Sequence, residues 1–340
     1  MNVLLTGGAG YIGSHTAVAL VQAGHRVVLY DNFSNSSADV VRQIEKIVGR
    51  VVALIEGDVR DTTLLVEAME QHAVEAVIHL AGLKAVGGSV EDPISYYANN
   101  VQGTVSLLQA MQTTGSRTLV FSSSATVYGV PRYLPLDEEH PTGATNPYGR
   151  SKLHIEEMLS DVTRSDAAWR VACLRYFNPV GAHESALIGE NPHGVPSNLM
   201  PFITRVGSGS LHCLNVYGAD YDTPDGTGVR DYVHVMDLAE GHVAALVFLS
   251  QTAGWHAINL GTGQGHSVLE MVRAFEQACG VPVRRVMADR RPGDVAAAYA
   301  KVDKARQLLG WEARRDLNEM CASAWSYQLA QGDQTEREQK

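Results

Sequence analysis

Short apolar, β-branched runs alternate with longer segments of helical periodicity through the first half of the chain. The predicted strands cover residues 3–6, 26–31, 51–56, 76–80, 118–123 and 170–176. The predicted helices cover residues 12–23, 40–48, 62–71, 94–114 and 148–160. Repeated strand–helix–strand order is typical of parallel strands with helices packed on both faces. We therefore predict an α/β fold built on a doubly wound parallel sheet.

The pattern loosens after residue 178, where glycine, proline, asparagine and histidine crowd residues 189–201 and 220–228. We predict a first domain of residues 1–178, a smaller mixed α/β domain of residues 179–330 and a fraying tail of residues 331–340. A segment near residues 231–263 is a candidate to return to the first domain. Ser267 and Glu270 have the spacing of a capping box, which predicts a helix over residues 267–279.

Charge and cysteine content exclude several classes of function. The 340 residues hold 37 aspartates and glutamates against 27 lysines and arginines, a net charge of −10. This balance disfavours nucleic acid and anionic membranes as partners. The four cysteines form no CxxC pair, so we expect neither a metal site nor a disulfide framework. The first apolar run has no basic segment before it, and none approaches the roughly 18 apolar residues of a spanning helix, so we expect a cytoplasmic protein.

The segment VLLTGGAGYIG places a glycine-rich loop between the first predicted strand and helix. Gly8, Gly10 and Gly13 form GxGxxG, and Gly7, Gly10 and Gly13 form GxxGxxG. A helix N-terminus without side chains before it suits the pyrophosphate of a dinucleotide, so we predict a Rossmann-type domain. Asp31, 18 residues beyond Gly13, ends the second strand, where a carboxylate accepts bonds from ribose hydroxyls and repels an extra phosphate. The motif therefore predicts NAD rather than NADP.

Tyr148 and Lys152 lie four residues apart at the start of a predicted helix, in the segment NPYGRSK. At this spacing they share a helix face and can flank one bound group. The ordinary pKa of a tyrosine is ~10. For a tyrosine to act as a base at neutral pH, this pKa must fall by about 3 units, which corresponds to a free-energy difference of roughly 4 kcal/mol. The positive charges of Lys152 and of an oxidised nicotinamide, each about 6 Å from the phenolate, would each stabilise it by on the order of 2–3 kcal/mol. We predict that Tyr148 removes a hydroxyl proton while Ser124, after the fifth strand, holds that hydroxyl.

Several further motifs resemble those of the extended short-chain dehydrogenase/reductase family, and within it those of the nucleotide-sugar 4-epimerases. They are TGGAGYIG, AGLKAVGGSV, SSSATVYG, NPYGRSK, LRYFNPVGAH, GTGVRDYVHV and RRPGD, and they run from Thr6 to Asp294. The resemblance implies that UDP-galactose and UDP-glucose are interconverted at C4 by oxidation, rotation of the 4-keto sugar and re-reduction. It also implies a homodimer, with the helices of residues 92–114 and 146–160 as candidate interface segments.

This resemblance, together with the glycine loop, assigns site residues to each domain. Ser124, Tyr148 and Lys152 form the catalytic set. The predicted cofactor contacts are Gly7, Gly10, Tyr11, Ile12, Gly13, Asp31, Asn32, Asn35, Ser36, Asp58, Val59, Leu80, Ala81, Gly82, Lys84, Asn99, Ser122, Tyr148, Lys152 and Tyr176. The predicted nucleotide-sugar contacts are Lys84, Ser124, Tyr148, Phe177, Asn178, Asn198, Leu199, Asn215, Tyr217, Arg230, Tyr232, Arg291, Asp294 and Ala298.

Two alternative functions remain open at this stage. A nucleotide-sugar 4,6-dehydratase shares the Tyr/Lys pair, but its family carries an Asp-Glu pair after the position of Ser124, where this chain has Ala125 and Thr126. A non-catalytic NAD-binding regulator would be expected to lose Tyr148 or Lys152. Many UDP-galactose-specific relatives also carry a tyrosine at the position of Ala298, so the smaller residue predicts activity on UDP-GalNAc and UDP-GlcNAc as well. Tyr299 would refill that space if the register slipped by one residue.

Overall fold

The computed structural model describes residues 1–192, 196–291 and 293–338. Within these ranges the strands are β1 (Asn2–Thr6), β2 (Arg26–Asp31), β3 (Ala53–Glu56), β4 (Ala76–His79), β5 (Thr118–Ser124), β6 (Arg170–Tyr176), β7 (Asn178–Val180), β8 (Leu214–Tyr217), β9 (Val229–His234), β10 (Gly254–Leu260), β11 (Gly265–Ser267), β12 (Arg285–Ala288) and β13 (Ala297–Ala298). The helices are α1 (Tyr11–Gln22), α2 (Ala38–Val48), α3 (Thr62–Gln71), α4 (Val86–Glu91), α5 (Pro93–Tyr96), α6 (Gly103–Thr114), α7 (Pro147–Ser165), α8 (Leu199–Gly207), α9 (Val235–Gln251), α10 (Val268–Cys279), α11 (Asp303–Leu309) and α12 (Leu317–Glu338).

The main sheet has seven strands in the order β10-β6-β5-β4-β1-β2-β3, and every neighbouring pair is parallel. The chain order reverses direction between β1 and β4, as in a doubly wound sheet. The predicted fold class is therefore confirmed. The seventh strand, β10, comes from the segment that we considered a candidate to return to the first domain.

Helices cover both faces of this sheet because its central strands are apolar on both sides. One face packs against α1, α2 and α9, whose contributions include Val18, Ile44 and Leu246. The other face packs against α3, α6 and α7, with Leu65 and Leu107 among the buried residues. All parallel strands point the same way, so their carboxyl ends form one edge at which polar loops gather.

One predicted helix differs in detail. Residues 94–114 were predicted as a single α-helix, but the structure divides this run into α5, a π-helical turn over Tyr97–Gln102, and α6. The backbone stays in the right-handed helical region through the junctions. A π turn inserts an extra residue into the helical ladder, a feature often found beside functional sites.

A second body of mixed structure lies against the carboxyl edge of the main sheet. Strand β9 is its centre and pairs with β7, β11 and β13, while β8 pairs with β12 in a separate two-stranded sheet. Helices α8, α10 and α12 enclose a core that includes Ile203, Phe275 and Met320. The capping box at the start of α10 is present, with Ser267 and Glu270 bonded reciprocally.

Helix α12 continues to residue 338, through most of the segment for which we predicted fraying, and residues 339 and 340 lie outside the described residues. Among the described residues, none of the helices is both long and apolar enough to cross a membrane. The four cysteines, Cys173, Cys213, Cys279 and Cys321, are free thiols. No group of three or more potential metal ligands occurs in the described ranges.

Candidate active site

The glycine loop lies at the carboxyl end of β1, where backbone segments approach closely. Gly7 has a φ of +69°, and a Cβ on it would lie 2.7 Å from the amide nitrogen of Ala81. A Cβ on Gly13 would lie 2.1 Å from the carbonyl oxygen of Gly7. Gly10 caps α1 without a side-chain hydrogen bond, and the first turn of α1 has no acidic residue. The amide groups and the partial positive charge of this helix N-terminus have no side-chain partner. They are therefore suited to bind the pyrophosphate of a dinucleotide.

Asp31 ends β2 and connects the glycine loop to the next loop. Its Oδ2 accepts a hydrogen bond from the Ala9 amide, and its Oδ1 accepts bonds from the Phe33 amide and the Ser36 hydroxyl, each at 2.9 Å. The carboxylate is thus a structural link as well as the predicted ribose ligand. Since each carboxylate oxygen accepts two bonds, Oδ2 retains acceptor capacity for a ribose hydroxyl.

The loop after β3 brings Asp58 beside the loop after β2. Asn32 Nδ2 donates to Asp58 Oδ2 at 3.3 Å, and the Arg60 guanidinium donates to both carboxylate oxygens at 2.7–2.8 Å. These bonds to Arg60 lower the pKa of Asp58 to about 2, so the group is ionised at neutral pH. The Val59 side chain is committed to the core against Gly103, which leaves its backbone to face this edge.

The remaining predicted cofactor residues line the same edge or the start of α1. Tyr11 and Ile12 begin α1, Asn35 precedes Ser36 in the loop after β2, and Leu80, Ala81, Gly82 and Lys84 follow β4. Asn99 is half-buried in the π-helical turn, Ser122 lies in β5 and Tyr176 ends β6. The fold therefore gathers segments that are up to 170 residues apart along one edge of the sheet.

The predicted catalytic set is assembled from two elements. Tyr148 and Lys152 lie in the first turns of α7, and Ser124 ends β5. The Lys152 ammonium donates to the Ser122 carbonyl oxygen at 2.7 Å and lies 4.9 Å from the centre of the Phe121 ring. Ser124 Oγ accepts bonds from the Thr126 amide and hydroxyl, at 3.2 and 2.9 Å. Asn146 caps α7 by accepting from Gly149, which fixes where the helix begins.

Burial sets the ionisation of this pair in the absence of ligands. It raises the pKa of Tyr148, although a hydrogen bond to Ser124 acts in the opposite direction. Burial also lowers the pKa of Lys152 to about 8. The two side chains are therefore a protonated tyrosine and a largely protonated lysine near neutral pH. Burial therefore opposes the lowering of the Tyr148 pKa that a base at neutral pH requires.

Two arginines and two tyrosines form a second cluster on the smaller body. The Arg291 guanidinium lies 5.0 Å from the Tyr217 ring centre and pairs with Asp294 at 2.9 Å. Burial raises the pKa of Tyr232, and the nearby charges of Arg230 and Arg291 act in the opposite direction, so that its pKa is about 12. The structure therefore brings these predicted nucleotide-sugar residues together. Asn215 is exposed two residues before Tyr217 on β8.

Ala298, the last residue of β13, and Tyr299, which follows it, contact different parts of the chain. Ala298 packs with the cluster that contains Phe177 and Tyr128. The Tyr299 ring lies against Gly265, where an added Cβ would come within 3.0 Å of it. Backbone bonds between Leu136 and the flanking residues Tyr299 and Lys301 fix this register. In this register the Ala298 side chain joins the Phe177 cluster, whereas the Tyr299 ring does not.

Comparison with known proteins agrees with this geometry. A family model described as GDP-mannose 4,6 dehydratase matches residues 4–324. A UDP-glucose 4-epimerase of Bacillus subtilis (strain 168) is 54% identical over 328 residues, which are 96% of this chain and 97% of that protein. The UDP-glucose 4-epimerase of Homo sapiens is 52% identical over 333 residues, 96% of each chain. The chain belongs to the UDP-glucose 4-epimerase family.

Solved structures of this 4-epimerase family match the whole fold. One from Stenotrophomonas maltophila, with bound NAD and formylated UDP-arabinopyranose, superposes with a TM-score of 0.97 at 50% identity, covering 98% of this chain and 99% of that one. Another from Bifidobacterium longum, in complex with NAD+ and UDP, has a TM-score of 0.95 at 49% identity, covering 98% and 99%. The predicted family, enzyme class and cofactor are therefore confirmed.

Three residues beside the candidate site were not selected from the sequence. Asn100 is buried in the π-helical turn, where its amide bonds to the Leu83 amide and carbonyl and to Ser151. Tyr96 lies close enough to Tyr148 to raise the pKa of that phenol. Glu190 contacts both Lys84 and Asn198. The position of Asn100 depends on the π turn, which no sequence pattern predicted. Glu190 lies in an irregular segment without periodicity.

Proposed function

We propose that this chain is an NAD-dependent epimerase that interconverts UDP-galactose and UDP-glucose at C4 of the hexose, with Ser124, Tyr148 and Lys152 as its catalytic residues. The observation that carries the residue assignment is the convergence of α7 and β5. It sets the half-buried Tyr148 and the buried Lys152 beside Ser124 and next to the glycine cradle.

Each catalytic side chain has a distinct task. Tyr148 takes the proton of the sugar 4-hydroxyl and later returns it. Ser124 holds the same hydroxyl through its Oγ, which the Thr126 bonds orient. The Lys152 ammonium stabilises the phenolate because an opposite charge nearby lowers the pKa of a tyrosine. NAD, when bound at the glycine cradle, supplies the hydride acceptor and donor for C4.

The residues after Ser124 favour epimerisation over dehydration. Ala125 has no ionisable group, and the Thr126 hydroxyl donates to Ser124. Elimination of water from C5 and C6 needs an acid and a base, which these two residues do not supply. The family model bears the name of a dehydratase, yet the relatives at 52–54% identity are named epimerases. A regulator without turnover is disfavoured because Tyr148 and Lys152 are both present.

The substrate is held mainly through its UDP group. Arg230 and Arg291 supply positive charge for the diphosphate, and Arg–phosphate bonds are frequently bidentate. Asn178, Asn198, Leu199, Asn215, Tyr217, Tyr232 and Asp294 complete the nucleotide side, and Phe177 lies toward the sugar. Firm binding of UDP with few bonds to the hexose leaves the 4-keto sugar free to turn over before it is reduced.

The substrate range extends to N-acetylated sugars in this proposal. Ala298 presents a methyl group where many relatives place a phenol ring, and Tyr299 faces away against Gly265. A missing ring leaves space beside C2 of the hexose for an acetamido group. We therefore include UDP-GalNAc and UDP-GlcNAc among the substrates.

The assembly and domain roles follow from the same family. We propose a cytoplasmic homodimer, in which exposed apolar side chains on α4, α5 and α6, among them Val90 and Ile94, are buried between subunits. Val90 is 64% and Ile94 79% exposed in the single chain. Residues 1–178 with the strand β10 bind NAD, and the other residues up to 330 bind the nucleotide sugar. Sedimentation analysis would show a single-subunit mass if the dimer proposal is wrong.

Proton NMR tests the proposed reaction directly. Purified protein is incubated with UDP-galactose or UDP-GalNAc without added cofactor, beside a Tyr148→Phe variant. We expect the C4 epimer of each sugar with wild type and a loss of at least about 100-fold with the variant. Formation of a 4-keto-6-deoxy sugar, or no epimer even with added NAD, would refute the reaction. Turnover of UDP-galactose alone would refute only the role of Ala298.

A further inference from the structure

The Glu190 carboxylate joins the two halves of the site through one atom. Its Oε1 accepts a hydrogen bond from the Lys84 ammonium at 3.0 Å and another from Asn198 Nδ2 at 2.6 Å. Lys84 belongs to the loop after β4, on the cofactor side. Asn198 immediately precedes α8, on the nucleotide-sugar side. A single oxygen therefore orients one side chain from each binding region.

The Glu190 end of this link is buried and the Lys84 end is partly exposed. The Glu190 side chain is only 8% exposed, whereas the Lys84 side chain is 40% exposed. Glu190 also lies near Tyr11 at the start of α1, and its charge adds to the burial that raises the Tyr11 pKa. The Tyr11 hydroxyl in turn donates to the Gly181 carbonyl oxygen at 2.7 Å, across the same boundary. Glu190 is thus enclosed where the main sheet meets the smaller body.

We infer that Glu190 is a positioning residue that couples UDP binding to NAD binding. The inference rests on the proposed function, which assigns Lys84 to the cofactor and Asn198 to the nucleotide sugar. When UDP fixes Asn198, the shared oxygen is fixed as well, and Lys84 then loses less freedom on meeting the cofactor. Coupling between two sites is reciprocal, so NAD must favour UDP by the same factor.

The test measures how fast the holoenzyme releases NAD with and without saturating UDP. Released NAD is converted to NADH by alcohol dehydrogenase and ethanol, and the NADH absorbance is followed. We expect UDP to slow release at least about fivefold in the wild type, the lower end of typical coupling. In Glu190→Ala the two release rates should agree within about twofold. Titration calorimetry of UDP into each holoenzyme should show weaker binding by the alanine variant.

Two further variants separate coupling from folding. Glu184→Gln changes an exposed carboxylate in the same segment and should retain the wild-type effect of UDP. Glu190→Gln keeps an oxygen for Asn198 but removes the charge that pairs with Lys84, so its UDP effect should be intermediate. If Glu190→Ala does not fold, a wild-type UDP effect in Glu190→Gln overturns the inference.

The other outcomes are equally decisive. The inference is wrong if UDP has no effect on NAD release from the wild type, or if Glu190→Ala keeps the full effect. Epimerase activity is measured on the same wild-type sample. Absence of any epimer would refute the proposed function, whereas an active wild type with unchanged coupling in Glu190→Ala would refute only the role of Glu190.

Discussion

Replacement of Lys152 by methionine should stabilise the ligand-free protein near neutral pH although it removes a proposed catalytic group. Burial lowers the Lys152 pKa from 10.5 to about 8. A pKa shift of one unit corresponds to about 1.4 kcal/mol. Keeping the Lys152 side chain protonated in this site therefore costs about 3 kcal/mol relative to the unfolded chain. The lost bond to the Ser122 carbonyl offsets about 1–2 kcal/mol of this. Lys152→Met should therefore gain about 1–2 kcal/mol in the free energy of unfolding at pH 7.

The pH dependence gives the sharper test. A lysine whose folded pKa lies below its unfolded pKa binds fewer protons in the folded state between pH 8 and 10.5. Wild-type stability therefore rises with pH across that window relative to Lys152→Met. The gain by pH 9.5 is on the order of 2 kcal/mol, enough to cancel the advantage of the variant. Neutral His79, whose pKa burial and Lys152 lower to about 3, contributes no charge in this range.

Calorimetric unfolding of nucleotide-free protein at pH 7 and pH 9.5 measures both effects. A change of 1 kcal/mol moves the midpoint of a chain of this size by roughly 1–3 °C. Lys46→Met, which replaces an exposed lysine on α2, is the matched control and should differ from wild type by less than about 0.5 kcal/mol at both pH values. The reasoning fails if Lys152→Met is the less stable protein at pH 7 and the difference does not change by pH 9.5.

Three other substitutions test the site and its support. Ala298→Tyr should lower kcat/KM for UDP-GalNAc at least about tenfold and change that for UDP-galactose less than about threefold, as measured by NMR; equal losses would contradict the assigned place of Ala298. Gly13→Ala, whose Cβ would meet the Gly7 carbonyl, should weaken NAD binding by more than about tenfold, whereas Gly87→Ala meets nothing within 4 Å and should bind NAD normally. Glu156→Gln removes the buried carboxylate charge that pairs with Arg175 and should cost about 3–5 kcal/mol of stability, against less than about 0.5 kcal/mol for Asp161→Asn in an exposed pair; similar calorimetric midpoints would show that burial does not matter here.

Local sequence signals predicted the main sheet well because its strands are apolar runs bounded by turn residues. The glycine loop, Asp31 and the Tyr148/Lys152 pair could be selected because their chemistry depends on short spacings. The π-helical turn could not be predicted, since residues 94–114 have an ordinary helical pattern. The helices α8, α9, α11 and α12 were not predicted. After residue 178 the strand–helix alternation is less regular, so the sequence does not indicate which segments form elements or which elements pack together.

Contacts between distant segments were equally hidden from the sequence. Glu190 contacts Lys84, which lies 106 positions away in the chain, and Asp31 accepts a hydrogen bond from the Ala9 amide in the glycine loop. The Tyr148 pKa also could not be predicted from local sequence, because it depends on which groups surround the side chain. Spacing identified the two groups, but only their burial revealed that the phenol starts above its ordinary pKa.

The return of the chain to form β10 bears on how the protein is made. Strand β10 completes the edge beside β6, and α9, just before it, packs its Leu238 and Leu246 into the core that α1 and α2 share. A fragment ending near residue 178 would leave that edge and that apolar face uncovered, which favours aggregation. During synthesis on the ribosome, about eighty further residues must therefore follow the first six strands before β10 can pair with β6 and complete the sheet. The main sheet with all seven strands cannot be separated from the rest of the protein by cutting the chain once.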